Sequence, residues 1–348
     1  MKRTFTIDAE TIEGNPWIET VTNGTNQVSY TADSSKPGKF TIDTDGLAFY
    51  ISQLAFLETK LYNRKYATIT YLQDIPVVAG VPEHAQEWAY RSYDGVTVSK
   101  FIGASTKDLP KISAKASISK VNIGYAGNML EWSIEELRNS AFLGTPIDAT
   151  QTSLAFRSSQ EHSQEVAYFG DEERGMNGLF NHPNVPKSAM SKDINAMSGQ
   201  ELFDVVNDLI YDIHNNSAMS HLADTVLVYP DFFKKMNSTL MTEYQNMTVM
   251  KFFKENNYYT QNSGQEITIQ PRLQLSAANM AKAGVNNGGK ARILAYEKNE
   301  ENLGVVANMP YRLTAPQPNL LSIEVAGEYK CSGTEYRFPV SAKYIDAA

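Results

Sequence analysis

The chain has 348 residues, of which 42% are hydrophobic, so it has enough apolar material for about two domains of ordinary size. Its formal net charge of −8, without any dense run of lysine or arginine, argues against a protein that reads nucleic acid. The single cysteine, Cys331, excludes an intramolecular disulfide framework. The sequence shows neither the apolar core of a signal peptide nor a run of about 18 apolar residues, so we expect no membrane span.

The N-terminal part is rich in Thr, Asn, Asp and Gly and shows no sustained hydrophobic period. We interpret residues 1–45 as an extended arm that becomes ordered against a partner. From Leu47 the apolar residues recur at helical spacing. This pattern predicts an amphipathic helix that begins after Gly46 and ends near Asn63.

Segment 85–115 combines aromatic residues with a turn signal. Trp88 and Tyr90 precede the pair Asp94-Gly95, and alternating apolar residues follow, which predicts a strand, a turn and a second strand. A two-stranded ribbon is marginally stable alone in water, so its apolar face must lie on its own subunit or on a neighbour. The local basic charge of this segment favours the neighbour, because the rest of the chain is acidic.

A long strand and a short helix come next. Residues 112–125 alternate as a strand does, with a phase shift near Lys120 that predicts a bulge or a strong twist. Ser133 and Glu136 have the spacing of a capping box. They predict a short helix that ends near Leu143.

A long polar helix follows. Thr145 can cap it, Pro146 suits its first turn, and no further proline or glycine occurs before Gly170. This spacing predicts roughly 24 helical residues, or about 36 Å, enough to cross a domain. Because its apolar stripe is thin, we interpret the helix as a scaffold for contacts with other copies of the chain. The residues that we predict at such assembly interfaces are Trp88, Tyr90, Arg91, Tyr93, Lys100, Phe101, Lys107, Glu161, Glu165, Asp171, Glu172 and Arg174.

The C-terminal half begins with a second domain. Ser198 and Glu201 form another capping box, which heads a strongly amphipathic helix. Short strand and helix patterns follow, so residues 182–304 are typical of a compact α/β domain. The remaining apolar runs, from Leu303 to Ile345, predict strands that we expect to pair with the long strand.

A metal site is the main catalytic alternative. His162 and Glu165 share a helix face, a geometry that could bind a metal, but a di-iron site would need a second such pair on a facing helix. The sequence contains no nucleophile elbow, P-loop or dinucleotide fingerprint. We therefore expect a solvated polar face at His162, and no catalytic, cofactor-binding or metal-binding residues.

The order of these parts, and four phrases within them, resemble a known family. The phrases are Asp108-Leu109-Pro110, Asn122-Ile123-Gly124-Tyr125, Trp132-Ser133-Ile134-Glu135-Glu136-Leu137 and Gly175-Met176-Asn177-Gly178-Leu179-Phe180-Asn181. Together they resemble the Hong Kong 97-type major capsid protein of tailed bacteriophages. The resemblance implies an α+β fold of that type, with an N-terminal arm (1–45), an extended β-hairpin loop (85–115) and an axial α/β domain (182–304). It also implies a peripheral domain with a long spine helix and an antiparallel sheet, made by residues 46–84, 116–181 and 305–348.

The function implied by the resemblance is structural. The chain would self-assemble into hexamers and pentamers of an icosahedral phage head that encloses double-stranded DNA without sequence-specific binding. Its partners would be other copies of itself and portal, scaffolding and decoration proteins, in the virion capsid and, during assembly, in the host cytoplasm. An encapsulin-type cellular compartment shell is the alternative with the same fold. A metal-dependent hydrolase built around His162 is an alternative from another class.

Overall fold

The computed structural model describes residues 67–96, 99, 101, 113–143, 147–241 and 247–348, together with three short strands nearer the N-terminus. Those strands, Thr20–Thr22, Gln27–Tyr30 and Gly38–Phe40, form a small antiparallel sheet within the segment predicted as an arm. The helix predicted between Gly46 and Asn63 lies outside the described residues. Within the described part of the chain, no helix combines the length and apolar character needed to cross a membrane.

The described secondary structure alternates between helices and strands. In chain order the elements are β1 Thr20–Thr22, β2 Gln27–Tyr30, β3 Gly38–Phe40, α1 Tyr71–Asp74, β4 Glu87–Val96, β5 Ser113–Ser133, α2 Ile134–Leu143, α3 Ile147–Phe169, β6 Gly170–Asp171, β7 Met176–Asn177, β8 Lys187–Ala189, α4 Gly199–Asn216, β9 Thr225–Val228, α5 Pro230–Ser238, α6 Val249–Asn256, α7 Tyr258–Ser263, β10 Thr268–Pro271, α8 Ala277–Lys282, β11 Arg292–Tyr296, β12 Leu303–Val305, β13 Met309–Leu313, β14 Gln317–Asn319, β15 Ser322–Ser332, β16 Thr334–Tyr336 and β17 Ala342–Asp346.

The long strand β5 organises the first large sheet, which we call the ribbon sheet and which has the strand order β13-β15-β5-β4. Its residues 113–122 pair with β4, and its residues 123–133 pair with β15, both antiparallel. The register is constant along both pairings, so the bulge predicted near Lys120 is wrong. The two halves of β5 are nevertheless buried by different partners. Val121 lies beside its register partner Trp88 of β4, whereas Trp132 faces the long helix α3.

Strand β4 and residues 113–122 form a two-stranded extension that we call the ribbon. The turn predicted at Asp94-Gly95 is wrong, because these residues continue β4 and pair with Lys115 and Ala114. A local turn signal was outweighed by ten consecutive cross-strand pairs with a segment that is distant in sequence. The first strand of the predicted ribbon is present as β4, and its partner is the first half of β5. Most of the segment predicted as the second strand lies outside the described residues.

The predicted spine helix is confirmed as α3, which has 23 residues. It packs on the ribbon sheet through two small apolar clusters, in which Ala155 contacts Trp132 and its neighbours, and Val166 contacts Met176 and its neighbours. The capping box predicted before α2 is also present, since Ser133 and Glu136 exchange side-chain to backbone hydrogen bonds of 3.0 and 3.1 Å.

A tight hairpin, β6 and β7, ends the spine helix. It opens at Gly170, whose φ of +77° lies in the left-handed region that glycine tolerates. Glycine is also required there by space, because an added Cβ would lie 2.8 Å from the carbonyl carbon of Asn177. The hairpin returns the chain to the end of α3, where Phe180 stacks on Tyr168.

The second large sheet has the order β10-β9-β11-β17-β8, and we call it the mixed sheet because it contains parallel and antiparallel pairs. Helix α4 begins at the predicted capping box of Ser198 and Glu201 and buries its apolar face against this sheet. Strand β17 was expected in the ribbon sheet, but it pairs instead with β11 and β8. The buried Arg292 binds Asp346 with N–O distances of 2.6 and 2.9 Å and holds β17 there.

The main apolar core lies under the mixed sheet, whereas the ribbon sheet packs on the spine helix through the two smaller clusters. Residues 68–348 pack as a single compact unit. The main core joins the end of the spine helix to the mixed sheet and to α4, for example through Tyr168, Leu209 and Tyr296. The ribbon extends from this compact unit, and Trp88 and Tyr90 lie at the base of the ribbon, where it meets the unit.

Candidate functional site

The ribbon separates the predicted interface residues onto two opposite faces. The register pairs Trp88 with Val121 and Tyr90 with Ser119, which places these residues on the face that we call inner. Arg91 pairs with Ile118, and this pair lies on the other, outer face. Because neighbouring residues of a strand point in opposite directions, the four predicted aromatic and basic positions of β4 cannot all contact one neighbour.

The inner face is bound by its own subunit. Tyr90 donates its hydroxyl to Glu335 of β16 at 3.1 Å, and the Arg337 guanidinium lies 4.9 Å from the centre of the Trp88 ring. Burial and the neighbouring Glu335 charge raise the pKa of Tyr90, so its hydroxyl stays protonated and donates. Trp88 and Tyr90 therefore fasten the ribbon to the body of the same molecule.

The outer face is open and carries exposed apolar side chains beside Arg91 and the Lys120–Glu87 ion pair. Tyr93 is 71% exposed and Ile118 is 61% exposed, although neither is at the end of the chain or in an isolated loop. Ala89 and Ala116 add small exposed side chains beside them. A ribbon of two strands has no second layer of its own, so this face is suited to a contact with another molecule.

The carboxylate of Glu335 is the centre of the ribbon's base. Its side chain is 14% exposed; besides Tyr90 it accepts a hydrogen bond from Asn177 at 3.2 Å, and His182 Nε2 lies 3.5 Å away. The buried environment would by itself raise the pKa of Glu335, but His182, Asn177 and Tyr90 outweigh burial and hold it below its usual value of 4.5. Glu335 is thus a charged acceptor at neutral pH.

Acidic pH is expected to weaken the contacts of Glu335 at the base of the ribbon. The folded-state pKa of Glu335 is lowered, so its charge stabilises the fold above the unfolded pKa of about 4.3, and this contribution is lost as the pH falls through the folded value. The groups that face it are Tyr90, Asn177 and His182. Arg337 lies two positions further along the chain, just after β16. Denaturation of the native chain and of Glu335→Gln should show a stability difference at pH 7 that shrinks below about pH 4. A difference that is constant with pH would contradict this.

The acidic residues predicted on the spine helix and its turn are at the surface. Glu161 binds Arg157 at 2.8 Å on the same helix, and Glu165 is exposed one turn further on. Asp171 binds Arg174 at 3.3 Å inside the hairpin, beside the exposed Glu172. Of the basic and aromatic residues predicted at the ribbon's tip, Phe101 is fully exposed, whereas Lys100 and Lys107 lie outside the described residues. Complementarity between this acidic face and the basic loop stays a prediction.

The metal alternative centred on His162 has a different structural explanation. His162 Nδ1 is 2.8 Å from the hydroxyl of Tyr329, and the two rings meet edge to face. Among the described residues, no three His, Cys, Asp or Glu side chains are grouped so that they could bind a metal ion. His162 is thus one of the polar contacts between the spine helix and the ribbon sheet.

Sequence reasoning did not identify the residues at the base of the ribbon. Glu335, Arg337 and Asn177 come from segments that are far from Trp88 along the chain, and no local pattern connects them. The only sequence signal was the spacing of two charged residues, Glu335 in β16 and Arg337 just after its end. Two further exposed leucines, Leu320 and Leu321, form the tip of the β14–β15 hairpin and were also not predicted.

Comparison with known proteins is consistent with this architecture. The capsid of Myoviridae phage XM1 is similar in structure, with a TM-score of 0.72 and 15% identity, over 85% of this chain and 98% of that chain. A structure from Mycobacterium phage Bobi gives a TM-score of 0.59 and 12% identity, over 88% of this chain and 99% of that one. The capsid of a native GTA particle gives a TM-score of 0.61 and 11% identity, over 88% of this chain and 97% of that chain. No curated protein sequence gives a significant match.

These likenesses confirm the predicted α+β capsid fold of the Hong Kong 97 type. A family model described as major capsid protein matches residues 98–347, which is well over half of the chain. The match begins within the segment between the two strands of the ribbon and continues to the end of the mixed sheet. The chain belongs to the major capsid protein family.

Proposed function

We propose that this protein is the structural subunit of a phage head, and that it self-assembles into the hexamers and pentamers of an icosahedral shell around double-stranded DNA. The family match supports a capsid subunit. The observation that carries the proposal in this chain is the ribbon, which has exposed apolar side chains on its outer face and a base fastened to the body. Its role is structural and does not require catalysis.

The physical basis is the sum of many moderate contacts. A ribbon that is covered by a neighbour loses exposed apolar surface, at roughly 25 cal/mol for each Å² buried. Each subunit both gives and receives such a contact in a closed ring, so the gain is repeated around the ring. The arm, the ribbon and the acidic face of the spine helix are the surfaces that we propose for these contacts.

The proposed partners follow from the same function. Other copies of the chain are the main partner, and portal, scaffolding and decoration proteins would complete the head. The DNA would be enclosed without sequence-specific contacts, and the net charge of −8 supports this because it disfavours adhesion to phosphate. We place the protein in the virion capsid and, during assembly, in the host cytoplasm.

Electron microscopy of the purified full-length chain tests the proposal directly. We expect closed shells, either from the chain alone or after co-expression with the scaffolding protein of the same phage. A protein that remains monomeric under both conditions would refute it. The family match favours a phage head over an encapsulin compartment, and particles from infected cells should be filled with double-stranded DNA rather than with an enzyme cargo.

The outer face of the ribbon can be tested by one substitution. Ile118→Asp should leave the fold of the subunit nearly unchanged, within about 0.5 kcal/mol, because the side chain is exposed. It should reduce the yield of shells at least about tenfold, since it would place a charge in a desolvated contact. Sedimentation separates shells from free subunits.

The matched control is Ser117→Asp, which introduces the same charge one residue earlier and on the opposite face of the ribbon. Ser117 is exposed, and its hydroxyl forms a hydrogen bond of 2.6 Å with the hydroxyl of Ser92 across the ribbon. The control should assemble much better than Ile118→Asp. Equal yields from the two variants would show that the outer face is not the contact.

A further inference from the structure

Three separate parts of the chain meet at one carboxylate. Glu335 belongs to β16, Tyr90 to the ribbon, and Asn177 to the hairpin that ends the spine helix. Tyr90 donates to Oε1 of Glu335, while Asn177 donates to Oε2, so each oxygen holds a different part. The carboxylate therefore links the ribbon to the end of the spine helix.

A buried histidine completes this arrangement. His182 is fully buried, and its Nδ1 accepts the backbone N–H of Asn184 at 3.3 Å. Its other nitrogen, Nε2, has no hydrogen-bond partner and lies 3.5 Å from Oε2 of Glu335. With Nδ1 used as an acceptor, the ring carries a proton on Nε2, on the side that faces Glu335. The carboxylate thus has a third donor directed at it from inside the body.

Arg337, the first residue after β16, extends the contact with the ribbon. Its guanidinium lies over Trp88 at 4.9 Å and near Tyr90 at 6.0 Å, and the two aromatic rings are themselves 5.5 Å apart. Arg337 also donates to the backbone carbonyl of Glu300, which fixes its position. The first two inner residues of the ribbon are therefore held by two charged residues, one in β16 and one directly after it.

Beyond Tyr90 the inner face is polar, and its side chains bond to each other within the ribbon. The hydroxyls of Ser92 and Ser117 bond to each other across the ribbon. From Tyr90 to the end of β4 at Val96 the ribbon extends about 20 Å, at roughly 3.3 Å per residue. Over that length, a change in direction of about 10° at the base moves the far end by roughly 3–4 Å. Such a displacement is about as long as the donor–acceptor distance of a hydrogen bond. The geometry of the base therefore determines whether the outer face can contact a neighbouring subunit.

We propose that Glu335 is a positioning residue for assembly, which fixes the direction in which the ribbon leaves the body by binding Tyr90 and Asn177 with its two oxygens. Its effect on the shell rests on the proposed function, but its effect on the ribbon does not. Free subunits whose Glu335 contact is broken should remain folded and carry a ribbon that points in a wider range of directions.

The test is a distance measurement between two spin labels on the full-length chain before assembly. The labels are attached at Lys115→Cys on the ribbon and Ser158→Cys on the spine helix, both of which are exposed positions. The native Cys331 is buried, so the introduced cysteines are the reactive sites. We expect Tyr90→Phe and Glu335→Gln each to raise the fraction of displaced distances about fivefold, as expected for the loss of one hydrogen bond to a charged group.

The matched control is Tyr93→Phe, which removes the same hydroxyl three residues further along, on the outer face. It should leave the distance distribution unchanged. The double variant Tyr90→Phe/Glu335→Gln should be no broader than the broader single variant, because both break one contact. A Tyr90→Phe distribution identical to that of Tyr93→Phe, or additive broadening in the double variant, would overturn the proposal.

Shell yield is scored separately on the same variants by electron microscopy. If the native chain forms shells, Tyr90→Phe should reduce their yield several-fold and Glu335→Gln should do the same. If the native chain forms none, the proposed function fails, and the distances on the free subunit still decide the role of Glu335. A broadened ribbon with normal shell yield would show that ribbon direction does not limit assembly and would overturn the assembly role.

Discussion

Replacing Asp74 with alanine is expected to lower the free energy of unfolding by about 3–5 kcal/mol, the cost of leaving a buried guanidinium without its partner. Asp74 binds Arg272 through two hydrogen bonds of 2.6 Å, and both side chains are at least nine-tenths buried. Tyr168 donates to the same carboxylate at 2.6 Å. Burial, with the Asp74 charge, raises the pKa of Tyr168, so this donor is retained at neutral pH.

This network lies where three parts of the body meet. Asp74 ends the short helix α1, Tyr168 is near the end of the spine helix, and Arg272 follows β10 of the mixed sheet. The hydroxyl of Tyr296 also donates to the backbone carbonyl of Asp74 at 2.7 Å. Loss of the carboxylate would therefore loosen α1 and the segment that leads from it to the ribbon.

Denaturant unfolding of the full-length chain measures the effect, with Glu266→Ala as the control. Glu266 pairs with Lys254 at 2.9 Å, but both side chains are largely exposed, so its loss should cost less than about 1 kcal/mol. The double variant Asp74→Asn/Arg272→Met should recover much of the stability, because it removes the unpaired charge. A cost for Asp74→Ala similar to that of Glu266→Ala would contradict the prediction.

The features that the sequence predicted well are those determined by neighbouring residues. The spine helix ends where Gly170 adopts a left-handed φ, and both capping boxes, at Ser133 and Ser198, rest on residues three positions apart. Such signals depend on interactions within one turn, so they are readable from a short window. The order of these parts along the chain was also readable, and it carried the family resemblance.

The failures all concern pairing between distant segments. The turn predicted at Asp94-Gly95 is absent because β4 pairs along its whole length with residues 113–122. Strand β17 lies in the mixed sheet, where Arg292 binds Asp346. At the candidate site, the exposed position of Tyr93 agrees with the prediction of an interface, but Tyr90 is directed to Glu335 of its own chain. Which face of a ribbon is free depends on register, and the sequence pattern alone does not specify register.

Gly170→Ala is expected to lower the free energy of unfolding by at least about 3 kcal/mol. A residue with a side chain at φ +77° costs roughly 1–2 kcal/mol by itself. At Gly170 the added methyl would also be 2.8 Å from the carbonyl carbon of Asn177 and still closer to the carbonyl oxygen of Met176. Both of these atoms are backbone, so relief requires the β6–β7 hairpin to open.

The matched control is Gly264→Ala, at the end of α7. Gly264 has nearly the same conformation, with φ +70°, but nothing lies within 4 Å of its added Cβ. It should therefore show the conformational cost alone, about 1–2 kcal/mol. The difference between the two variants, measured by denaturant unfolding, isolates the clash in the hairpin, and equal losses would contradict it. Because the hairpin carries Asn177, Gly170→Ala should also release one oxygen of Glu335 and broaden the direction of the ribbon, whereas Gly264→Ala should leave that direction unchanged.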